Sequence, residues 1–391
     1  MEPLATVAPA YGVGSLAEVM PSVLAVLGVP GQPDPLGLRP ALAGVRRVAL
    51  LLVDGLGHLQ LPVATRYAPT LAELAAGRHG AARALTAGFP STTPTSLVTL
   101  GTGAVPGAHG VLGFNVNIPG TTRVLNHVEW WGDPDPRSWQ PVPTGLEIAS
   151  AAGVAVTVVT RPEFAGSGLT EAANRGGDFR GARDTEAVAA EILGALVAGD
   201  GPTLVSAYTP DVDRTGHLCG VDSPPWRAAV ADVDRLLTIV LDGLPPDAAL
   251  LVTADHGQLD VPADRRYDID ADDRLRAGIR VVAGEPRVRY LHTLPGATGD
   301  VVAAWQSVLG AEAWVAVRDE AVAAGWFGPV PEEHLQRVGD VVVACRDRAA
   351  IVATRGEKEI VSKLVAYHGS FTALEMTIPL LVARRSVGGR G

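Results

Sequence analysis

Residues 47–57 read Arg-Val-Ala-Leu-Leu-Leu-Val-Asp-Gly-Leu-Gly. The apolar run at 48–53 is long enough for one strand that is buried on both faces of a sheet. Asp54 follows the run, and Gly55 and Gly57 allow the backbone to turn sharply. A carboxylate at the end of such a strand lies where open α/β sheets bind their ligands. Taken alone, however, Asp54 is more simply interpreted as the cap of the next helix.

Strands and helices alternate along most of the chain on either side of this stretch. Further strands are predicted at 81–87, 154–160, 203–208 and 248–253. Helices are predicted at 15–27, with a break near Pro21, and at 69–76, 95–101, 185–197 and 226–241. This alternation predicts an α/β fold with a central, mostly parallel sheet that is sandwiched by helices.

The pattern changes between residues 264 and 362. Short strands are predicted there at 279–282, 288–292, 314–317, 341–344 and 350–353, and helices at 299–309 and 319–325. We therefore expect a smaller α+β cap insertion at 264–362, within a catalytic core made of residues 1–263 and 363–391. Residues 104–146 are rich in Gly, Pro and Trp and predict long loops at the rim of a site. Residues 385–391 are expected to form a frayed tail.

Composition limits the class of protein. The chain has 391 residues, of which 47% are hydrophobic, and its 32 basic and 42 acidic residues give a formal net charge of −10. This balance argues against non-specific binding to nucleic acid or to a membrane surface, but not against a nucleotide-sized substrate. Two distant cysteines, Cys219 and Cys345, give no disulfide framework and indicate a reducing compartment. The N-terminus lacks the basic region of a signal peptide, and the apolar segment at 23–29 is too short for a bilayer, so we predict a soluble cytoplasmic protein.

Three of the predicted strands end in acidic residues. Asp54 follows the first strand, Asp211 and Asp213 follow the strand at 203–208, and Asp255 and His256 follow the strand at 248–253. The carboxyl ends of parallel strands lie at one edge of a sheet, so these carboxylates are expected to converge. Several carboxylates in one cleft repel each other, and a divalent cation removes that repulsion. Three such acids are therefore better explained as metal ligands than as helix caps.

Histidines accompany these acids at ligand spacing. Asp213 and His217 lie four residues apart, which is about one helical turn, so that both can reach one ion. His256 follows Asp255 directly, and His368 is the remaining candidate. His217 or His368 alone would be interpreted as a hydrogen-bonded structural histidine. That interpretation is kept for the other histidines, which are His58, His79, His109, His127, His292 and His334. Carboxylate oxygens and imidazole nitrogens without a thiolate suit zinc, manganese or iron in a hydrolytic site.

A cluster of hydroxyl residues precedes a short apolar helix at 88–103. Its central part reads Phe-Pro-Ser-Thr-Thr-Pro-Thr-Ser, with Thr93 before Pro94. Pro94 fits the first helical position, and Thr93 is then the helix cap in the simpler interpretation. In a functional interpretation, the free amides and the helix dipole attract an anion at this end of the helix. A threonine hydroxyl that binds a divalent metal is also a competent nucleophile.

In sequence order these motifs are Val-Asp-Gly (53–55), Phe-Pro-Ser-Thr-Thr (89–93), Pro-Gly-Ala-His-Gly (106–110), Asp-x-x-Gly-His (213–217), Asp-His-Gly (255–257) and His-Gly (368–369). Their order resembles the alkaline phosphatase superfamily, and most of all its nucleotide pyrophosphatase/phosphodiesterase family. The resemblance covers residues 47–369. It implies a site with two Zn²⁺ ions, although Mn²⁺ remains an alternative. One ion would be bound by Asp54, Thr93, Asp255 and His256, and the other by Asp213, His217 and His368.

The resemblance also implies a reaction. Thr93 would be the nucleophile, with Thr92 as the neighbouring alternative, and a covalent phospho-threonine would form and be hydrolysed by water. The expected activity is the cleavage of phosphodiester or pyrophosphate bonds in small, phosphorylated, nucleotide-like substrates. The family often has an asparagine twenty-one residues after the nucleophile, which helps to hold a phosphate oxygen. Phe114 occupies that position here, so Asn115, Asn117 or a backbone amide is expected to replace it.

Other activities of the superfamily remain as alternatives. They are a phosphomonoesterase, a phosphonate hydrolase of the phosphonoacetate type and a phosphomutase, although a phosphomutase often uses serine and prefers manganese. A non-catalytic binding module is an alternative from a different class. It would be expected to have lost ligands, whereas all seven are present in this chain. The sequence makes no prediction of the oligomeric state.

Overall fold

The structure, a computed structural model, describes residues 4–385. The tail predicted at 385–391 therefore lies outside the described residues, except for Arg385. The strands are β1 Arg47–Val53, β2 Gly80–Thr86, β3 Asn115–Asn117, β4 Val124–Asn126, β5 Ala155–Thr160, β6 Asp178–Gly181, β7 Thr203–Thr209, β8 Ala248–Thr253, β9 Leu259–Asp260, β10 Arg266–Asp268, β11 Ile279–Glu285, β12 Val288–Thr293, β13 Ala313–Val317, β14 Val341–Cys345, β15 Ala350–Val352, β16 Ala366–Tyr367 and β17 Thr377–Arg384.

The helices agree with the predicted positions where helices were expected, and several short ones are added. They are α1 Val19–Val26, α2 Leu38–Ala41, α3 Leu61–Ala64, α4 Pro69–Ala75, α5 Thr93–Thr102, α6 Pro106–His109, α7 Pro136–Trp139, α8 Gly145–Ala151, α9 Gly168–Asn174, α10 Thr185–Leu196, α11 Asp211–Cys219, α12 Pro224–Gly243, α13 Asp273–Arg276, α14 Thr298–Leu309, α15 Arg318–Ala323, α16 Glu332–Leu335, α17 Glu359–Lys363 and α18 Ala373–Met376. Within residues 4–385, none of them combines the length and the apolar character that a bilayer-spanning helix needs.

The first predicted helix is not broken at Pro21. A 3-10 turn at Leu16–Glu18, capped by Ser15, leads directly into α1, and Pro21 is the third residue of α1. Proline is tolerated there because the N–H groups of the first helical turn have no partner within the helix. The helix therefore continues past Pro21 to Val26.

A seven-stranded sheet within residues 4–385 forms the centre of the molecule, in the order β2-β17-β8-β1-β7-β5-β6. β1 lies in the middle and pairs in parallel with β7 and β8, with Leu50 opposite Ser206 and Leu251. Residues 48–53 of β1 are all buried, as the continuous apolar run predicts. β17 is antiparallel to both of its neighbours. These pairings confirm the predicted α/β fold with a mostly parallel sheet.

The antiparallel strand β17 was not predicted, and neither was β6. β17 contains Pro379, which lacks the N–H that a central strand normally donates to the sheet. The structure accommodates this proline because the pairing of β17 with β8 begins only at Leu380, opposite Thr253. The Pro379 carbonyl instead accepts a hydrogen bond from the Thr253 hydroxyl at 2.8 Å.

Residues 104–146 contain more secondary structure than the predicted long loops. α6, α7 and the β3–β4 hairpin lie within this segment. The hairpin pairs Val116 with Leu125, and both side chains are buried in an apolar cluster that includes Phe89 and Trp130. This packing holds the hairpin against the rest of the molecule, so that it can form a fixed wall.

A second, antiparallel sheet follows in the order β11-β12-β14-β13. Trp305 of α14 packs in one apolar cluster with Leu291 and Val341 of this sheet. Tyr290 faces another cluster, which it shares with Phe89 and Phe327. The sheet is therefore covered by apolar packing around β12 and β14. The assignment of residues 264–362 to a separate insertion stays a prediction.

Candidate metal centre

The ends of β1, β7 and β8 bring three aspartates together. Asp54 follows β1 directly, Asp213 lies in the first turn of α11 after β7, and Asp255 follows β8. Gly55 lies between them with a φ of 73°, and a Cβ atom there would be 2.9 Å from the Cα atom of Asp213. The Gly55 N–H donates to Asp255 Oδ1 at 3.0 Å. A glycine is required here because any side chain would push the strand ends apart.

Asp54 does not cap a helix. The helical turn that follows it, His58–Gln60, has Gly57 at its N-cap and no capping bond from a side chain. Asp211 also takes no part in the cluster, because it pairs with Arg161. Of the acids at the strand ends, the structure thus brings Asp54, Asp213 and Asp255 together.

Three histidines are oriented in the same way around these acids. The Nδ1 atom of His217 lies 2.7 Å from the Ala366 carbonyl oxygen, and that of His368 lies 2.9 Å from the Ser91 carbonyl oxygen. His256 Nδ1 lies 3.2 Å from the carbonyl oxygen of Gly257. A carbonyl oxygen can only accept, so each Nδ1 carries the proton and each Nε2 presents a lone pair. Carbonyl oxygens commonly orient metal-binding histidines in this way.

The Nε2 atoms of these histidines lie close to each other and to the carboxylates. His217 Nε2 and His368 Nε2 are 3.1 Å apart, and they lie 3.3 and 3.6 Å from the carboxylate oxygens of Asp213. His256 Nε2 lies 3.6 Å from Asp54 Oδ1 and 3.3 Å from Asp255 Oδ2. Among residues 4–385, these two carboxylate oxygens are buried and have no hydrogen-bond partner.

This arrangement is electrostatically unfavourable unless a cation is present. Burial raises the pKa of Asp54 well above its ordinary value, and the carboxylates of Asp255 and Asp213 raise it further. Burial also raises the pKa of Asp213. It lowers the pKa of His368 well below its ordinary value, and the neighbouring His256 and His217 lower it further. A divalent cation stabilises the deprotonated form of carboxylates and imidazoles alike, so the donor set fits metal ions. Among residues 4–385, two groups have ligand atoms that all lie within 4.8 Å of one another: Asp213, His217 and His368, and Asp54, Asp213 and His256.

Thr93 is the first residue of α5, and its hydroxyl oxygen lies 3.1 Å from His256 Nε2. Pro94 is therefore the second helical residue, and Thr92 takes the N-cap position. The Thr92 hydroxyl is fully buried and, within the described part of the chain, has no hydrogen-bond partner. Thr93 lines the adjoining cavity, whereas Thr92 is not part of the cavity wall. Of the two threonines, the structure places Thr93 against the histidine and carboxylate cluster.

Two residues that the sequence analysis missed hold the acids in place. The Tyr208 hydroxyl, near the end of β7, donates to Asp54 Oδ2. The Gln258 side-chain amide donates to the Asp213 backbone oxygen at 3.0 Å and also to the Asp213 carboxylate. A tyrosine at the end of an apolar strand and a glutamine two residues after His256 are the sequence features that could have indicated them. Both fix the orientation of a carboxylate, which is a common role next to metal ligands.

A cavity of about 670 Å³ opens in front of this cluster. Asp54, Thr93, Asp213, His217 and His368 line its floor. Its other walls come from the β3–β4 hairpin and from the segments 276–289 and 353–361.

The structure distinguishes between the two asparagines, Asn115 and Asn117, that were predicted to replace the family's asparagine at position 114. Phe114 and Asn115 both line the cavity, and the Asn115 amide nitrogen donates to the Gly284 carbonyl oxygen at 3.1 Å. Asn117 is buried in the hairpin, where its amide nitrogen donates to the carbonyl oxygens of Thr121 and Arg123. The structure therefore places Asn115, and not Asn117, at the cavity.

Glu285 is another cavity residue that the sequence analysis missed. Its side chain is buried at the end of β11, and burial raises its pKa to about 8. Its Oε1 atom has no hydrogen-bond partner among residues 4–385.

Known proteins are similar to this chain in sequence and in fold. A family model described as type I phosphodiesterase / nucleotide pyrophosphatase matches residues 48–371. An uncharacterized pyrophosphatase/phosphodiesterase of Schizosaccharomyces pombe is 27% identical over 191 residues, which are 46% of this chain and 39% of that protein. The matching region thus spans about two fifths of this relative.

Two solved structures are similar to this chain over most of its length. Murine ectonucleotide pyrophosphatase / phosphodiesterase 5, as an inactive threonine-to-alanine variant in complex with AMP, has a TM-score of 0.67 at 18% identity, with 86% of this chain and 87% of that chain covered. Phosphonoacetate hydrolase from Sinorhizobium meliloti, in complex with phosphonoformate, has a TM-score of 0.65 at 20% identity, with 89% and 92% covered. At this level of identity, both similarities show the fold.

Proposed function

Because the chain belongs to the type I phosphodiesterase / nucleotide pyrophosphatase family, we propose that it is a metal-dependent hydrolase that cleaves phosphodiester or pyrophosphate bonds of nucleotide-like substrates. One observation carries the proposal. The Nε2 atoms of His217 and His368 lie 3.1 Å apart at a cavity that Thr93 also lines. The Thr93 hydroxyl lies 3.1 Å from His256 Nε2, which in turn lies 3.6 and 3.3 Å from the unpaired oxygens of Asp54 and Asp255. Carboxylate oxygens and imidazole nitrogens that are buried without a hydrogen-bond partner destabilise the protein unless they bind a cation.

We propose Asp54, Thr93, Asp255 and His256 as the ligands of one ion, and Asp213, His217 and His368 as the ligands of the other. The second set is supported because its ligand atoms lie within 4.8 Å of one another. Oxygen and nitrogen donors without a thiolate support zinc, with manganese as the alternative. When bound, such ions neutralise the charge of a phosphoryl group and lower the pKa of a coordinated hydroxyl.

Thr93 is the proposed nucleophile. Its Oγ1 atom would form a bond to phosphorus while the bond from phosphorus to the leaving oxygen breaks, which gives a phospho-threonine. Water would then cleave this ester and restore the hydroxyl. The amides at the start of α5 and the positive end of its dipole would stabilise the phosphoryl charge. The inactive threonine-to-alanine variant of the murine relative supports a threonine in this role.

The size of the cavity supports a substrate that carries an organic group on its phosphoryl group. About 670 Å³ exceeds the volume that a phosphoryl group alone would fill, and pockets of this size typically bind whole small molecules. AMP in the complex of the murine relative supports a nucleotide-like substrate. A phosphonate hydrolase is the second candidate. It is favoured by the similarity to phosphonoacetate hydrolase and by Phe114 in place of the family's asparagine.

A comparison of three substrates tests the proposal. The zinc-loaded protein is expected to hydrolyse bis-p-nitrophenyl phosphate with a higher kcat/KM than p-nitrophenyl phosphate, and to leave phosphonoacetate intact. Chelation should abolish the activity and zinc should restore it. Dominant turnover of the monoester or of phosphonoacetate would select the corresponding alternative. Activity that survives complete metal removal would contradict the metal-dependent mechanism.

We also propose that residues 264–362 form the inserted cap and that the protein works in the cytoplasm. The separate antiparallel sheet and the apolar cluster around Trp305 support the first proposal. The second is supported by the two cysteines, which are free thiols in the described part of the chain, with Cys219 exposed and Cys345 buried.

A further inference from the structure

Glu285 is a buried acid of the cavity wall that the proposed mechanism does not use. It is the last residue of β11, and its side chain lines the cavity. A Cβ atom at Gly369 would lie 3.1 Å from Glu285 Cδ, so the carboxyl group packs against the residue that follows His368. Glu285 therefore lies beside the metal centre without belonging to its proposed ligands.

Glu375, another buried acid of this region, shows how a structural carboxylate obtains its hydrogen bonds. Glu375 is fully buried, and its carboxylate accepts hydrogen bonds from Arg287 at 2.9 and 2.7 Å and from the Ser370 N–H at 3.0 Å. Glu285 differs, since its Oε1 atom has no partner within residues 4–385. The nearby Arg289 is engaged elsewhere, by Glu357 and by a backbone carbonyl oxygen. The Thr92 hydroxyl and the Phe114 N–H are close enough to lower the pKa of Glu285. A buried polar atom without a hydrogen bond is costly, and a ligand in the adjoining cavity that bonds to Glu285 would remove this cost.

Asn115 extends this polar feature along the same wall. Its amide nitrogen is held by the Gly284 carbonyl oxygen at 3.1 Å, so the side chain is fixed next to Glu285. Phe114, Val282 and Ala283 make the surrounding wall apolar. We call Glu285 and Asn115 the polar corner of the cavity.

The chemistry of the polar corner selects the kind of group that binds there. A phosphoryl oxygen only accepts hydrogen bonds, so it can pair with Glu285 only when the carboxyl group is protonated. A hydroxyl group both donates and accepts, so it can pair with Glu285 in either protonation state and with the Asn115 carbonyl oxygen. Carboxylates bind sugar hydroxyls in this way in dinucleotide-binding folds.

We propose that Glu285 determines specificity by binding a hydroxyl group of the sugar that is attached to the scissile phosphoryl group. This inference rests on the proposed function and narrows it to sugar-bearing phosphate esters. Glu285 contacts the part of the substrate that stays on phosphorus, and Thr93 reacts at the phosphorus atom.

Three chromogenic substrates that share the p-nitrophenolate leaving group test the proposal. They are a nucleoside 5′-(p-nitrophenyl phosphate) with ribose, its analogue with 2′,3′-dideoxyribose, and bis-p-nitrophenyl phosphate, which has no sugar. For the wild-type protein we expect kcat/KM to be about 10- to 100-fold higher with ribose than with dideoxyribose, as the loss of one buried hydrogen bond predicts. Glu285→Ala should lower kcat/KM for the ribose substrate to the level of the dideoxy analogue. It should change turnover of bis-p-nitrophenyl phosphate less than about 3-fold, since no hydroxyl is then involved.

The controls separate specificity from folding. Glu359→Ala removes an exposed carboxylate of the same predicted insertion and should leave the ribose preference unchanged. If Glu285→Ala does not fold, as judged by its Tm, Glu285→Gln gives the same test with a smaller change in shape. A wild-type protein that treats both nucleoside substrates equally would refute the role of Glu285, and so would an equal loss on all three substrates. A folded, zinc-loaded wild type that hydrolyses none of the three would instead refute the proposed function, and the inference with it.

Discussion

Two groups of histidines differ in how their second ring nitrogen is satisfied, one in the apolar interior and one in the proposed metal centre. His109 Nδ1 accepts from the Val111 N–H at 3.1 Å, and its Nε2 lies 2.9 Å from the Thr99 hydroxyl. His127 Nδ1 lies 2.8 Å from the Gly113 carbonyl oxygen, and its Nε2 accepts from the Trp139 indole N–H at 3.0 Å. Both ring nitrogens of each histidine are thus satisfied within the protein.

The histidines of the proposed metal centre satisfy only one ring nitrogen with the backbone. The Nδ1 atoms of His217, His256 and His368 face carbonyl oxygens, while their Nε2 atoms face each other, a threonine hydroxyl and carboxylates. Burial alone does not distinguish the two groups, because His256 and His368 are buried like His109 and His127, whereas His217 is partly exposed. The difference lies in what each second nitrogen contacts, and this contact is the basis for proposing that His217, His256 and His368 bind metal.

The largest effect is expected from the nucleophile next to these unpaired nitrogens. Thr93→Ala should lower kcat for bis-p-nitrophenyl phosphate by at least about 10³-fold, because the variant lacks the hydroxyl that is proposed to form the covalent intermediate. The metal content should stay close to that of the wild type, since six of the seven proposed ligands remain. Turnover measurements together with metal analysis check both expectations.

Thr92→Ala is the matched control for this prediction. It removes the same hydroxyl one residue earlier, from a side chain that does not line the cavity. Its turnover should therefore stay within about 10-fold of the wild type, in line with a change of packing alone. The opposite result, with Thr92→Ala inactive and Thr93→Ala active, would reverse the assignment of the nucleophile.

Much of the fold and of the candidate site could be predicted from the sequence, because the features that predict them are local. The apolar runs of β1, β7 and β8 predict buried strands directly, and the acids that follow them identify the functional edge of the sheet. β17 was not predicted because a proline such as Pro379 is unusual inside a sheet, and because the position of β17 depends on where β8 ends. Contacts between segments that are distant in sequence cannot be predicted from a local pattern.

The missed contributors to the site show the same limit. The Tyr208 hydroxyl reaches Asp54 across 154 residues of sequence, and Glu285 packs beside Gly369 from a segment that is distant in sequence. Their roles follow from which strands become neighbours. Spacing along the chain therefore predicted the ligand candidates, but not the residues that orient them.

The next largest effect is expected from a comparison of one substitution in each group of histidines. His217→Ala should lower kcat/KM by at least about 100-fold and reduce the metal content from about two ions per chain towards one, because a ligand is lost. His109→Ala should bind metal and turn over substrate like the wild type. It should instead lower the free energy of unfolding by about 1–3 kcal/mol, since its partners lose their hydrogen bonds.

The metal content and the free energy of unfolding by denaturant are measured for both variants. Unfolding is measured in the presence of a chelator, so that bound metal does not add to the stability of either protein. If His109→Ala loses metal, or if His217→Ala keeps both ions and full activity, the two groups do not differ in function as their contacts indicate.

The smallest effect concerns the protonation of a structural histidine. Burial lowers the pKa of His127 from 6.5 to about 4, while its hydrogen bond to the Gly113 carbonyl oxygen opposes the shift. Between these pH values the unfolded chain binds more protons at His127 than the folded chain does. The free energy of unfolding should therefore fall as the pH falls from 6.5 towards 4, at a rate of up to about 1.4 kcal/mol per pH unit from this residue.

His127→Gln removes this titration while it keeps a polar side chain of similar length. The variant should be less stable than the wild type at pH 7.5, because the bond from Trp139 is weakened or lost. The difference in unfolding free energy should become smaller at pH 5, where the wild type alone loses the stability that neutral His127 provides. Denaturant unfolding at both pH values, with a chelator present, measures this difference. A difference that stays constant or grows on acidification would mean that His127 is not held neutral by burial, and the contrast with the metal centre would then rest on geometry alone.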